Sequence, residues 1–598
     1  MSLLKKRRGG CFLTGCVTFV AAPFVILAII WALSSWGHRL PDRFVLKLPI
    51  GGQIDERAAD QVAFPFGRER QELSLQELMT IMERARTDGR VRSVLLQIDG
   101  VSAPTAKIGQ LRRSIEALRG SGKKVTAFLR SPEDKDYLLA VACDSIIVQK
   151  GSWMLLDGLK AESFYFADPL KRLGIGFQAS QWKRYKSAVE PFTRSSSTPE
   201  SREEIGQLLD AAWDDYLGAV AARRGISRAK FAGIIDSLAV LSPEKAVALR
   251  LIDRVSSAWK LEKGYEKQYD AKAAELFVGG HDYLQATGGM NTSGKGGSIA
   301  VINITGPIVS SGGITDMKEG EGIDVSTLKQ ALQTALDDRK VKAIVLRIDS
   351  PGGDALAASD MLEMLDAARK SKPVVASMSG VAASGGYMVA LGADRILAEP
   401  MTVTGSIGVF ALKPDLGGLL KKTGLNREVV TRGRFADAYT PFKPFDEAGF
   451  RKFDETSGDI YRDFVGKVAA RRKLSFAQVD AVAGGRVWTG KNALAVGLID
   501  GFGGFADAVK AAQRLARMDT SKPPGLVYLP AAKTWADYLF NGDASFSGST
   551  IASRLVGLYV QESFPFARPL PGTAMTRFLL RTDAPQVLAI DPVEVVIK

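Results

Sequence analysis

The sequence predicts an α/β protein made of two tandem copies of one domain, preceded by a single N-terminal transmembrane helix. Three observations predict it. A ten-residue run recurs, VRSVLLQIDG at Val91–Gly100 and VKAIVLRIDS at Val341–Ser350, offset by 250 residues. Short apolar, β-branched runs alternate with amphipathic ones, the order that builds mostly parallel sheets with helices on their faces. Phe12–Leu33 carries no charge and follows Lys5-Lys6-Arg7-Arg8.

The N-terminal part, 1–39, reads as a basic tip and an anchor. At about 1.5 Å per residue, Phe12–Leu33 spans roughly 33 Å, enough to cross a bilayer core. Trp31 and Trp36 sit where interfacial aromatics belong, and Pro23 is tolerable inside a membrane helix. The basic cluster is expected to stay in the cytoplasm, which puts the rest of the chain outside it. A cleavable signal peptide fits less well: the apolar run is long and no clean small-x-small site follows it. Leu13-Thr14-Gly15-Cys16 resembles a lipoprotein box, but the apolar segment follows the cysteine instead of preceding it.

The 598 residues are enough for more than one domain. A net charge of +14 points to anionic partners such as a lipid surface. Nucleic acid is not expected, since there is no zinc-ligand spacing, no RNP-like aromatic pattern and no long basic helix. The cysteines are Cys11, Cys16 and Cys143, and the histidines are His38 and His281. No disulfide framework, metal cluster or cofactor site follows from them. Neither histidine lies in a catalytic-looking context, which argues against a Ser-His-Asp triad. A serine nucleophile would need another base, and lysine is the usual substitute.

The first copy is placed at 40–263. Its opening helix, Ser74 to Arg86, carries Ser74 and Glu77 as a capping box. The 250-residue offset also pairs Lys124-Val125 with Val374-Val375, Tyr137 with Tyr387, and Asp144 with Asp394. Further on, Val220–Arg224 matches Val468–Arg472, and Leu251-Ile252-Asp253 matches Leu498-Ile499-Asp500. Residues 264–297 are expected to be a linker, mobile at its Gly-, Ser-, Thr- and Asn-rich end. The second copy spans 298–518. The extension 519–598 has helical pieces near Trp535 and over Ser553–Tyr559, and no assigned role.

The chemistry concentrates in Val341–Tyr387. A buried strand, Ala343–Ile348, runs into the turn Asp349-Ser350-Pro351-Gly352-Gly353, which lets backbone N–H groups point into open space. A helix with Leu362, Met364, Leu365 and Ala368 as its apolar stripe follows. The strand Val374–Met378 then leads into Gly380-Val381-Ala382-Ala383-Ser384-Gly385-Gly386-Tyr387. A serine among small residues, between a strand and a helix start, is the layout of an acyl-transfer site. Ser384 would attack a carbonyl, and the N–H groups of Gly353 and Gly385 would hold the oxyanion. In the first copy Ser384 falls on Asp134, Gly385-Gly386 on Lys135-Asp136, and Pro351-Gly352-Gly353 on Val101-Ser102-Ala103. Had these elements served folding alone, both copies would keep them. Conversely, Lys186 of the first copy, in QWKRYKSAVEPF, falls on Ala436, so each copy holds half of a site. Tyr387, shared with Tyr137, reads as core, Cys143 as a buried small residue, and Asp349 as a turn cap.

DSPGG at Asp349–Gly353, AASGGY at Ala382–Tyr387, TGSIG at Thr404–Gly408 and YKSAVEPF at Tyr185–Phe192 resemble the long form of bacterial signal peptide peptidase, protease IV. That family has the fold of the Clp protease proteolytic subunit and of crotonases. The resemblance covers about Phe44 to Met518. It implies Ser384 as nucleophile, Lys186 as general base and Ser406 as the serine that hydrogen-bonds the lysine. It also implies cleavage of remnant signal peptides and other apolar peptides on the periplasmic side of the inner membrane, and a homo-oligomer, a tetrameric bowl. A lysine base has to fall from about 10.4 to 7–8, at a cost of roughly 4 kcal/mol. Desolvation, with Val189 and Phe192 nearby, would supply that, and Glu190 would oppose it if it faced the amine. Two other readings compete: a catalytically inactive membrane-tethered scaffold, and a crotonase-like acyl-CoA enzyme.

Overall fold

The computed structural model describes residues 40–57, 72–292, 294, 296–310, 322–530 and 587–589. The expected anchor Phe12–Leu33 and the expected helical pieces of the tail lie outside the described residues. Among the described residues no helix is long and apolar enough to cross a membrane.

The first copy contains β1 (Phe44–Gln53), α1 (Leu75–Thr87), β2 (Val91–Ser102), α2 (Thr105–Gly120), β3 (Lys124–Leu129), α3 (Asp134–Ala140) and β4 (Ser145–Gln149). Then come β5 (Gly176–Trp182), the long α4 (Pro199–Arg224), β6 (Arg254–Ser256) and β7 (Phe277–Gly279). The capping box forms as expected: the Glu77 N–H donates to Ser74 Oγ at 3.3 Å, and the Ser74 N–H donates to Glu77 Oε2 at 2.8 Å. All strands but β5 form one parallel sheet in the order β6-β4-β3-β2-β1-β7. Leu46, Val94, Leu96 and Val125 are fully buried and share a core with Ile108, Leu111 and Ile115 of α2.

The stretch expected as a linker folds instead. β7 lies within it and pairs with β1, and Gly280–Ala286 is helical. The supposedly mobile end is tied to the second copy, with the Thr292 N–H donating to Leu526 O at 2.9 Å. A three-residue edge strand is too short to show an alternation. Polar composition measures backbone freedom, not the hydrogen bonds that use it up.

The second copy contains β8 (Ser298–Thr305), β9 (Ile308–Val309), β10 (Ile323–Asp324), α5 (Val325–Asp337), β11 (Val341–Ser350), β12 (Gly353–Asp354), α6 (Ala355–Ala368) and β13 (Val374–Ala383). It continues with α7 (Gly385–Ala390), β14 (Arg395–Ala398), β15 (Val403–Gly405), β16 (Val409–Asp415), α8 (Glu447–Arg472), β17 (Val487–Thr489), β18 (Gly501–Phe502) and β19 (Gly525–Leu529). Its main sheet runs β17-β15-β13-β11-β8-β19, parallel except at β17, with β14 on β13 and β18 on β14. β19 shows that the domain reaches beyond 518, into the stretch assigned to the extension. Both site strands run longer than the sequence predicts. On α6 the core stripe is Ala358, Met361, Leu362, Leu365 and Ala368, and Met364 is half-buried.

The repeat holds at atomic detail. Tyr137 Oη donates to Leu251 O at 2.8 Å, and Tyr387 Oη donates to Leu498 O at 2.8 Å. The Val125 N–H donates to Asp144 at 2.9 Å, and the Val374 N–H donates to Asp394 at 2.9 Å. Arg224 pairs with Asp253 as Arg472 pairs with Asp500.

A third sheet joins the copies. Its order is β10-β9-β12-β20-β16-β5, where β20 is Val587–Ala589. β5 leaves the first copy and pairs antiparallel with β16, from Gly176↔Asp415 to Trp182↔Val409. This pairing delivers the residues after Trp182 to the second copy.

Candidate active site

Ser384 stands between the end of β13 and the start of α7, fully buried, at φ 54° and ψ −116°. Positive φ is costly for a residue with a Cβ and persists where surrounding contacts enforce it. Here the Ser384 N–H donates to Gly405 O at 2.8 Å, and its carbonyl accepts the Met388 N–H at 2.9 Å.

Lys186 arrives from the first copy at the end of the β5 excursion. The Tyr185 N–H donates to Gly484 O at 3.0 Å. A Cβ on Gly485 would lie 2.4 Å from the Lys186 nitrogen, so only glycine lets the two backbones approach this closely. Lys186 is 2% exposed. Its Nζ lies 2.9 Å from Ser384 Oγ and 2.8 Å from Ser406 Oγ, and it donates to Ser406 O at 3.1 Å. Lysine and serine meet within one chain. Ser406 is itself at φ 49°, and its N–H donates to Arg486 O at 2.7 Å. Ala188 and Val189 form a small apolar cluster with Phe410 and Leu412, and Phe192 packs against it. Glu190 is taken up by Thr198 at the head of α4, accepting its N–H at 3.1 Å and its Oγ1 at 2.6 Å.

The two glycine-rich elements are in contact. A Cβ on Gly385 would lie 3.2 Å from the Gly353 nitrogen and 3.3 Å from Gly352 Cα. A Cβ on Gly353 would fall 1.9 Å from Ile308 O, so this position tolerates no side chain. β20 lies between β12 and β16, antiparallel to both, with Ala589 opposite Gly353 and Leu588 opposite Asp354 and Phe410. An extended segment of the tail is thus in register with the turn that precedes α6.

The structure brings Ser384, Lys186, Ser406, Gly353 and Gly385 together. It moves Asp349 out of a local capping role: Oδ1 accepts the Val381 N–H at 3.0 Å, and the carboxylate pairs with Lys107 Nζ of the first copy at 2.7 Å. Tyr387 is core, and Cys143 is buried, which pushes its thiol pKa up. Sequence reasoning missed Gly484-Gly485, readable as a turn but not as the seat of a lysine 299 residues upstream. It also missed Lys107, whose spacing from Gln110 and Arg113 looks like a solvated helix face. Among the described residues no group of three or more His, Cys, Asp or Glu is placed to hold a metal ion. What the arrangement can do is acyl transfer: a hydroxyl in reach of an amine, beside backbone N–H groups and a slot for an extended strand.

Comparison with known proteins points the same way. The model of peptidase family S49 matches residues 117–272 and 366–519, one stretch mainly in each copy. The chain is 33% identical to Protease 4 of Salmonella typhi over 461 residues, which cover 75% of this chain and 73% of that one. It is 32% identical to the chloroplastic serine protease SPPA of Arabidopsis thaliana over 515 residues, covering 84% of this chain and 73% of that one. Protease 4 of Haemophilus influenzae is 29% identical over 470 residues, with 75% and 74% covered.

Proposed function

Because the chain belongs to peptidase family S49 and is a serine protease of that family, we propose that it is a membrane-anchored endopeptidase whose Ser384 and Lys186 form the catalytic dyad and whose substrates are apolar peptides, remnant signal peptides among them. The observation that carries this reading is the 2.9 Å contact between Lys186 Nζ and Ser384 Oγ, made between copies in a buried site. Burial disfavours an ammonium ion and so favours the neutral amine that can accept a proton.

In this reading neutral Lys186 takes the Ser384 hydroxyl proton as Oγ adds to the scissile carbonyl. The N–H groups of Gly353 and Gly385 receive the oxyanion. The tetrahedral intermediate collapses, the C–N bond breaks, and Lys186 returns its proton to the leaving amine, leaving an ester on Ser384. Water then gives a proton to Lys186 and adds to the ester. The acid product leaves and Ser384 regains its hydrogen. Ser406 holds the amine toward Ser384 with its hydroxyl and its carbonyl.

The position of β20 supports binding of the substrate as an extended strand between β12 and β16, a β-augmentation mode. The uncharged run Phe12–Leu33 supports a membrane anchor, which would hold the site where apolar segments accumulate. A homo-oligomer is supported by the helices Ala167–Leu173 and Gly417–Thr423, neither of which buries a residue. Val430, Phe164 and Leu425 are 83%, 66% and 63% exposed, apolar surface that a second copy would cover.

The test is hydrolysis of an apolar signal-peptide-like substrate by the full-length protein in detergent and by its Ser384→Ala and Lys186→Ala variants. Folded variants that both lose activity support the dyad. Full activity in Lys186→Ala would remove the lysine from the mechanism, full activity in both would move the hydrolysis to other residues, and no hydrolysis by the parent would leave the scaffold reading.

A further inference from the structure

β13 does not follow β11 evenly. Ile348 pairs with Met378 and Ser350 pairs with Ala382, so two steps on β11 face four on β13. The surplus lies in Ser379-Gly380-Val381, just ahead of Ser384. A bulge leaves backbone groups without ladder partners, and buried ones need others. Here the Ser379 carbonyl accepts from Thr402 Oγ1 at 2.7 Å, and the Val381 N–H donates to Asp349 Oδ1 at 3.0 Å. Gly380 has no room to shift: a Cβ there would lie 3.0 Å from Asp349 Oδ1 and 2.9 Å from Pro104 Cγ of the first copy.

Asp349 is also the first residue of the turn that ends at Gly353. One carboxylate therefore ties the strand that aims the nucleophile to the turn beside it. It is held in turn by Lys107 of α2, at 2.7 Å, and Lys107 Nζ also donates to Ile54 O at 3.1 Å. Lys107 is 5% exposed. Burial opposes its charge, but Asp349 and Glu56 outweigh that and hold its pKa above the usual lysine value. On the same face of α2, Gln110 accepts from Arg347 at 2.8 Å and Arg113 pairs with Glu399. The matching residues on α6 are Ala357, Asp360 and Glu363. In the first copy β3 ends at Leu129, and the counterpart of Asp349, Asp99, is 52% exposed and 3.5 Å from Arg130.

We propose that Lys107 and Asp349 are positioning residues of the active site: the ion pair made when the copies dock pins the bulge before Ser384 and the turn carrying Gly353 in one fixed relation. The first copy then contributes the site's geometry as well as its lysine. The inference rests on the peptidase reading above. Acyl transfer is sensitive to such alignment, since a displacement of about 1 Å can cost on the order of 100-fold in rate.

The experiment uses the full-length protein in detergent, with the parent compared to Lys107→Met, Lys107→Arg, Arg113→Met and the double variant Lys107→Met/Asp349→Asn. Three quantities are read: kcat and KM on an apolar peptide, the rate of fluorophosphonate labelling at Ser384, and the melting temperature. Lys107→Met is expected to lower kcat and labelling together by about 10- to 100-fold, with KM within about threefold, at temperatures where it stays folded. Lys107→Arg should keep most of the activity. The double variant, in which an amide still accepts from Val381 and no carboxylate is left unpaired but no ion pair ties the turn to α2, should regain melting temperature while staying close to Lys107→Met in kcat and labelling. Arg113→Met, which loosens docking and leaves the contacts of Asp349 in place, should label within about threefold of the parent. Equal losses in Arg113→Met and Lys107→Met, or unchanged labelling of Lys107→Met, would overturn the proposal while leaving the peptidase reading in place. A parent protein that does not label at Ser384 would overturn both.

Discussion

In the first copy Asp136 stands where the second has Gly386, and its carboxylate accepts the N–H groups of Val101 at 2.7 Å and Gly100 at 3.3 Å. In the second copy the corresponding turn, Ser350 to Gly353, lies against Gly385 and Gly386 instead. Asp134, in the place of Ser384, accepts the N–H groups of Asp157 and Gly158, each at 3.1 Å. In our reading, the same strand-end turn thus handles negative charge in both copies. In the first it is a built-in carboxylate. In the second, glycines replace the carboxylate and, in our reading, the substrate's oxyanion takes its place. A duplicated scaffold can keep a charge-binding turn as structure in one copy and use it for chemistry in the other.

The sharpest way to break that comparison is to exchange the two roles. Ser384→Ala and Lys186→Ala should each lower kcat/KM by at least about 10³-fold. Adding Asp134→Ser to Ser384→Ala should restore nothing, because no lysine reaches the first copy's turn from Ala436. Measurable hydrolysis by that double variant would mean the copies are closer in function than their turns indicate.

The next effect concerns ion pairs. Arg347, fully buried, reaches Glu56 at 2.6 Å, Ser377 and Ser379 at 2.9 Å each and Gln110 at 2.8 Å. Arg347→Met should destabilise the fold by about 3–5 kcal/mol in urea unfolding, because it strands a buried carboxylate. In the first copy, Arg130→Ala, which removes the exposed partner of Asp99, should change stability by less than about 0.5 kcal/mol. Similar costs for both would contradict the burial contrast.

A smaller effect is carried by pH. Burial, with Asp157 nearby, pushes the Asp134 carboxyl from 3.8 to about 7. A carboxyl raised in the folded state favours folding below its unfolded pKa and withdraws that contribution as pH climbs from about 4 through about 7. Asp134→Asn should therefore match the parent near pH 4 and exceed its stability near pH 8, by on the order of 3 kcal/mol. A stability difference that is flat across pH 4–8 would show that Asp134 does not titrate in this window.

The smallest effect belongs to Ser406. Ser406→Ala removes the 2.8 Å hydrogen bond to Lys186 Nζ but keeps the 3.1 Å bond to the backbone carbonyl. A loss of about tenfold in kcat is expected, the worth of one hydrogen bond of roughly 1–1.5 kcal/mol. A loss matching that of Lys186→Ala would place the hydroxyl in the proton path itself.

Much of this was legible in the amino-acid order. Strand β11 announces itself because a run buried on both faces has to be apolar throughout. The turn glycines are visible because Gly353 has no room for a Cβ and Gly352 sits at φ 105°. The repeat is visible because Tyr137 and Tyr387 make the same contact, each in the core of its own copy. The linker and the domain end were misread because β7 and β19 are short edge strands, with too few residues to carry a period.

By itself, then, the sequence determined the tandem α/β plan, the glycine-flanked serine turn, and the division of serine and lysine between copies. These depend on local backbone requirements, which residue type and spacing encode directly. Tertiary structure alone decided that Lys186 reaches Ser384 across 198 residues, and that Lys107 meets Asp349. It also decided that the last described strand lies beside Gly353. The reason is physical: such contacts depend on how two sheets dock and where β5 crosses. A charged helix face reads the same in sequence whether water or the other copy covers it.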